Sequence, residues 1–214
     1  MGEGLAAGPS TFSFLDLGGG HGAFADRVLA AFPDASAVGG DTGTPLRDRN
    51  RPHPNKTVRE IDATRLADAE VDRQDVVFLN WVLHHLVVTG DYHRTRQTIV
   101  RALTDVRWRL RPGGRVSVYE NLYEGPLGVN LPGRLIFGLT SMRVLAPLTG
   151  RLGANTAGVG VCFHSERAWR KIFEDAGYEV VVATPRRPWS VAWWKRLGLG
   201  VSSVRAGHFW LSPR

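Results

Sequence analysis

The chain has 214 residues, 43% of them hydrophobic and 22% charged, the balance of an ordinary globular protein with a sizeable core, which excludes a disordered or fibrous chain. No run of about 18 apolar residues occurs and the N-terminus lacks a basic segment followed by an apolar one, so neither a membrane span nor a secretion signal is expected. The one cysteine, Cys162, cannot form an internal disulfide and fits a reducing, cytoplasmic setting.

The net charge of +7 is unevenly placed: residues 1–124 hold 15 Lys or Arg against 16 Asp or Glu, and residues 125–214 hold 12 against 4. No acid occurs from Gly125 to Ser165 or from Val180 to Arg214. Genomic base composition accounts for arginine over lysine. An anionic partner accounts better for the missing acids.

The first predicted element is the strand "TFSFLDL" at 11–17, whose apolar run ends in D-x-G-x-G-x-G, with Asp16, Gly18, Gly20 and Gly22 in place and Gly19 inside the turn. Glycines directly after a buried strand let the backbone turn sharply and approach a ligand with no side chain between. A helix beginning near Ala23 would aim its N-terminus into the same crevice, as a nucleotide-like ligand requires. The second strand, "ASAVGG" at 35–40, ends at Asp41 and Thr42, about 20 residues after the turn, where a carboxylate can accept from both ribose hydroxyls. A short third strand, "KTVREI", is followed by Asp62 and Ala63, where a carboxylate can meet an exocyclic amine.

The strand "DVVFLN" at 75–80 precedes "WVLHHL", and a helix is expected over "HRTRQTIVRALTDVRWRL", with Ile99, Leu103, Val106 and Leu110 on its buried face and "RPGG" as its stop. The strand "RVSVYE" at 115–120 follows. Strand alternating with helix implies a parallel sheet covered on both faces. Residues 121–164 are long, apolar and punctuated by Gly and Pro, and are read as an insertion capping the site of a single domain spanning 1–214. Ser165 should cap a helix burying Trp169, Ile172, Phe173 and Ala176 and stopping at Gly177. The strands "YEVVVAT" and "VRAGHFWL" finish the chain.

"LDLGGGHG", "GGDTG", "IDAT", "FLNWVLHHL" and "LRPGGRVSVYE", in that order, resemble the motifs of class I S-adenosylmethionine-dependent methyltransferases, well over 12–120 and by pattern only over 165–211. The resemblance implies an α/β, Rossmann-like seven-stranded sheet, mostly parallel, of order 3-2-1-4-5-7-6 with strand 7 antiparallel, helices on both faces and an inserted cap. It implies S-adenosyl-L-methionine as cofactor and S-adenosyl-L-homocysteine as product. Gly18 and Gly20 would lie against the methionine part, Asp41 would hold the ribose, Asp62 and Ala63 the adenine, and Asn80 and Trp81 would flank the methyl-bearing end. One departure stands out: only about ten residues, "MGEGLAAGPS", precede the first strand, where the family usually has one or two helices. Either the insertion or a second subunit of a homodimer then covers the cofactor, or the site is open.

Methyl transfer by in-line displacement needs positioning, and a base only if the nucleophile arrives protonated. His85 is the first choice for that base, with Glu120 and His164 as second choices, because they fall at the strand tips and before the late helix. His53, His93 and His208 are scattered and give no metal-ligand spacing. Cys162 reads as a small hydrophobe rather than a nucleophile. "RRPWSVAWWKRLG" at 186–198 places Trp189, Trp193 and Trp194 among basic residues, either lining a pocket for a flat or greasy metabolite or resting at a membrane surface. The leading expectation is methylation of a small lipophilic or aromatic metabolite, with no nucleic acid partner. The alternatives are an RNA methyltransferase or RNA-binding derivative, and less favourably a nicotinamide-dependent oxidoreductase, since Gly18, Gly20 and Ala23 also satisfy G-x-G-x-x-G/A.

Overall fold

Four apolar strands end in polar or glycine residues at the same edge of one sheet, and this shared edge organises the molecule. The computed structural model describes residues 11–151 and 156–214, so residues 1–10 and part of the insertion lie outside the described residues. The strands are β1 (Ser13–Leu17), β2 (Ser36–Asp41), β3 (Lys56–Glu60), β4 (Gln74–Asn80), β5 (Leu110–Glu124), β6 (Tyr178–Pro185) and β7 (Ser203–Pro213). Their order is β3-β2-β1-β4-β5-β7-β6, with β7 antiparallel to both neighbours and the other pairs parallel. The helices are α1 (Ala23–Ala31), α2 (Thr44–Arg47), α3 (Tyr92–Trp108), α4 (Leu131–Ser141), α5 (Ala146–Arg151), α6 (Glu166–Asp175) and α7 (Trp193–Leu199).

The sheet is buried on both faces because alternate residues of its central strands are apolar on both sides. Phe14 and Phe78 pack with Ala25, Val28 and Leu29 of α1 on one face. Leu15, Leu17, Val77 and Leu79 pack with α3 and α6 on the other, where Trp169 and Phe173 are fully buried. Ser165 caps α6 by accepting from the Ala168 N–H at 3.3 Å, and Gly177 stops it at φ +83°.

Two expected boundaries move. Leu110 is a strand residue paired with Gln74, not the last turn of α3, and β5 runs on to Glu124 rather than ending at 120. The helix stops at Trp108 because the Arg109 guanidinium turns back to four carbonyls, those of Leu66, Ala67, Ala69 and Val71, at 2.8–3.1 Å. The strand continues because β7 pairs with it through Glu124↔Ser203. The insertion therefore starts on a sheet strand, forms α4 and α5, and returns beside that strand at the Leu122–His164 bridge.

Candidate active site

The glycine turn is tied down at its first step: the N–H groups of Gly18 and Gly19 both donate to the Gly40 carbonyl, at 2.7 and 3.2 Å. Gly18, Gly20 and Gly22 have φ of +73°, +57° and +80°, which only glycine adopts freely. A Cβ on Gly18 would fall 2.3 Å from Val82 Cγ2, whereas one on Gly20 would meet nothing nearer than Leu46 Cδ1 at 4.0 Å. Gly20 thus presents bare backbone to open space. The Asp41 carboxylate is fixed beside it, accepting from Gly20 N–H at 3.0 Å and Gly43 N–H at 2.7 Å. Each oxygen keeps a further lone pair for a hydroxyl. Thr42, next in line, is exposed.

Beneath the turn, two polar groups lack partners. Asp16 is 1% exposed, and its Oδ2 accepts no hydrogen bond. Burial pushes its carboxyl up to about 7 against the pull of the Ala25 N–H, and the nearby charge of Asp41 adds to the rise. On the adjacent strand β4, Asn80 Nδ2 is buried and also unpartnered. Strand alternation puts Asp16 and Asn80 on the same face, that of Phe14 and Phe78. An orphan acceptor and an orphan donor thus lie at the tips of neighbouring strands.

At the far side of β2, Asp62 accepts from the N–H and hydroxyl of Thr64, at 2.8 and 2.7 Å, and caps the turn at Ala63–Asp68 while Ala63 is buried. At the tip of β4, Trp81 is held at φ +55°, a strained conformation for a bulky residue. Its indole donates to Asn121 Oδ1 at 3.0 Å and stands edge-on to Tyr119.

Glu120 is completely buried within β5, and its partner is His84, not His85: His84 Nδ1 lies 2.5 Å from Glu120 Oε2. The other oxygen accepts from the Leu83 N–H at 2.9 Å and the His84 N–H at 3.4 Å, so the carboxylate organises the whole 83–85 turn. With Nδ1–H given to Glu120, the lone pair of His84 stays on Nε2, which has no partner among the described residues. His85 is the more exposed of the two, its ring tilted against that of His84 with centroids 4.1 Å apart, and partial burial of the ring followed by the neighbouring His84 holds its imidazole below the usual range.

His164 lies inside the molecule. Its Nδ1 accepts from Asn130 Nδ2 at 3.1 Å and faces the Tyr92 hydroxyl at 3.3 Å, while Nε2 faces Cys162 Sγ at 3.4 Å. Burial, reinforced by Arg96 and Arg134, lowers its pKa to about 3, so it is neutral. Burial likewise pushes the Cys162 thiol up to about 12. This cluster fastens the returning insertion, and the Cys162 N–H donates to the His84 carbonyl at 2.9 Å. Phe163 sits between, 5.0 Å from His84 and stacked on Tyr123 at 4.4 Å. Sequence reasoning named His85, Glu120 and His164 as separate candidates and did not single out His84, the residue that Glu120 meets. The signal available was the parallel register, which sets Asn80 beside Tyr119 and so brings the residues just after them together. Among the described residues no group of His, Cys, Asp or Glu is placed to hold a metal ion.

Residues 15–116 match a family model described as a methyltransferase domain. The matched range contains Asp16, the glycine turn, Asp41, Asp62 and His84 but stops short of Glu120 and the insertion. Comparison with curated protein sequences finds no match. Among solved structures, the chain resembles CalO1, a methyltransferase in calicheamicin biosynthesis solved in an SAH-bound form, at TM-score 0.59 and 24% identity, covering 97% of this chain and 50% of that one. It also resembles the mitomycin 7-O-methyltransferase MmcR (TM-score 0.61, 19% identity, 94% and 49% covered) and a pericyclic reaction enzyme (TM-score 0.59, 14% identity, 100% and 46% covered). The chain spans about half the length of these structures, and the likeness is one of fold. The observed strand order is the one that the resemblance in the sequence implies.

Proposed function

We propose that this chain is an S-adenosylmethionine-dependent methyltransferase acting on a small lipophilic or aromatic metabolite in the cytoplasm. A fold shared with a pericyclic reaction enzyme does not fix the chemistry, so the reading rests on the site. The observation that carries it is the unpartnered pair Asp16 Oδ2 and Asn80 Nδ2 under a bare glycine turn with Asp41 fixed beside it. A zwitterionic amino acid joined to a nucleoside supplies each missing partner: an ammonium for Asp16, a carboxylate for Asn80 and ribose hydroxyls for Asp41. Gly18, Gly19, Gly20 and Gly22 would form the cradle, Thr42 would border the ribose, Asp62 and Ala63 would border the base, and Trp81 the reacting end. S-adenosylmethionine, when bound, supplies an electrophilic methyl group on a sulfonium.

The rest is done by the chain's own residues. His84 Nε2 takes the proton of an acceptor hydroxyl or amine, and Glu120 holds the ring in the tautomer that leaves this nitrogen free and balances the charge gained. His85 lies at the exposed rim of the same turn and His164 is the buried anchor of the insertion. The insertion at 121–164 caps the site, a reading supported by the Cys162 N–H bond to the His84 carbonyl. Tyr123, Phe163, Trp81 and Tyr119 surround this turn with flat apolar surface, which supports an aromatic acceptor. Thermal melting with adenosylmethionine, adenosylhomocysteine and a nicotinamide dinucleotide tests the reading. Stabilisation by the first two and not the third is expected, and the reverse pattern overturns it.

A further inference from the structure

The insertion carries a surface that the proposed chemistry does not use. α4 buries Ile136, Phe137 and Thr140 and turns Leu131, Leu135 and Leu139 outward at four-residue spacing, which lines them along one stripe of the helix. α7 packs against α4, with Leu131 lying against Gly200 at the α7 C-cap. It exposes Trp193 and Leu197, again four residues apart, by 73% and 77%. Two touching helices thus present apolar stripes to solvent, where a soluble protein normally keeps its large apolar side chains scattered.

Charge decides what covers them. Arg186 and Arg187 lie exposed on the segment leading to α7, Arg196 lies on α7 beside Leu197 and donates to the Ser202 carbonyl at 3.1 Å, and Arg134 on α4 sits over the Tyr92 ring. The sequence has no acid from Gly125 to Ser165 or from Val180 to Arg214 to pair with them. A second copy docked face to face would set arginine against arginine with no carboxylate supplied from these stretches. RNA would answer the arginines but leave the leucines and Trp193 without an apolar partner. An anionic bilayer answers both, taking leucine and tryptophan into its interface and setting guanidinium groups at the phosphate level.

We infer that the α4–α7 face docks on an anionic lipid bilayer surface. Among the described residues no helix is long and apolar enough to cross a membrane, so the contact is peripheral.

Vesicle flotation of the whole chain tests this, with vesicles of phosphatidylcholine alone and vesicles with about 30% phosphatidylglycerol, at low and high salt. The expected result is flotation with the anionic vesicles at low salt, loss at high salt, and about tenfold weaker association for a Leu135→Ser/Leu139→Ser double variant whose melting curve is unchanged. Arg187→Glu should weaken association without touching the leucines. The inference is overturned if the native chain stays unbound to anionic vesicles at low salt, or if the double variant floats as well as the native chain. It is equally overturned if light scattering shows a dimer that the double variant dissociates, which would make the face a protein interface.

Discussion

His84 Nδ1 and Glu120 Oε2 lie 2.5 Å apart inside the protein, one from the turn after β4 and the other from within β5. Under the proposed function the pair would couple folding to chemistry, because the second oxygen of the same carboxylate holds the Leu83 and His84 N–H groups. Glu120→Ala should destabilise the protein by roughly 2–4 kcal/mol, as buried donors are left without acceptors. Glu120→Gln still offers an acceptor to the turn but cannot balance an imidazolium. Its melting temperature should stay close to native while kcat falls about 100-fold with KM little changed. Equal kcat for the two proteins would show that the pair is only structural.

Asp41 should separate binding from folding. Its carboxylate is half-buried at the lip of the crevice and held by two backbone N–H groups. Asp41→Ala removes the acceptor for a diol and should weaken adenosylmethionine binding at least about tenfold in calorimetry. Unchanged affinity would remove Asp41 from the site.

The buried carboxyl of Asp16 gives a pH signature. Its ordinary value is about 3.9 and burial lifts it to about 7, so across that window the folded chain keeps a proton that the unfolded chain has lost. Stability should therefore fall as pH rises through the window, with the full cost, roughly 4 kcal/mol, present above it. Asp16→Asn should melt higher than the native protein at about pH 8, and the gain should shrink through about pH 5 and vanish toward about pH 4. The same variant should bind adenosylmethionine more weakly, because the ammonium loses its anion. A native protein whose melting temperature is flat from about pH 5 to 8 would contradict this.

Two glycines of the turn should respond differently to alanine. At Gly18 the new Cβ would meet Val82 Cγ2 at 2.3 Å on top of a φ of +73°, so Gly18→Ala should destabilise the fold by about 2–3 kcal/mol. At Gly20 there is open space, so Gly20→Ala should cost only about 1 kcal/mol for its φ while placing a methyl where the ligand must approach. A folded Gly20→Ala protein that binds adenosylmethionine as tightly as native would show that the cradle lies elsewhere.

Most of the fold was legible because its signals are local. β1, β2 and β4 are short apolar runs stopped by Gly18, Asp41 and Asn80, and the stop at Gly177 and the cap at Ser165 are single-residue features. The strand order came from resemblance, and the observed sheet has it. What escaped depended on tertiary partners. The end of β5 is set by its antiparallel pairing with β7, and the end of α3 by Arg109 reaching carbonyls some 40 residues away in sequence. α4 escaped because Pro132, Gly133 and Gly138 disguise its periodicity, and packing against β5, α3 and α7 overrides their low helix propensity. Which of two adjacent histidines meets Glu120 is beyond pattern reading, because a 3₁₀ turn swings the rings of His84 and His85 to different surroundings. The tryptophans at 189 and 193 are exposed, and the side chain of Trp194 lies outside the described residues, so the pocket expected there has no lining to report.

The central claim is that an amino-acid nucleoside spans the tips of β1, β2 and β4, answering Asp16, Asn80 and Asp41 together. Titration calorimetry of the folded chain with adenosylhomocysteine reads this directly. One site per chain, with heat lost or affinity cut at least about tenfold in both Asp41→Ala and Asp16→Asn, is the expected result. A folded native protein that gives no binding heat and no thermal shift with adenosylhomocysteine or adenosylmethionine would contradict it.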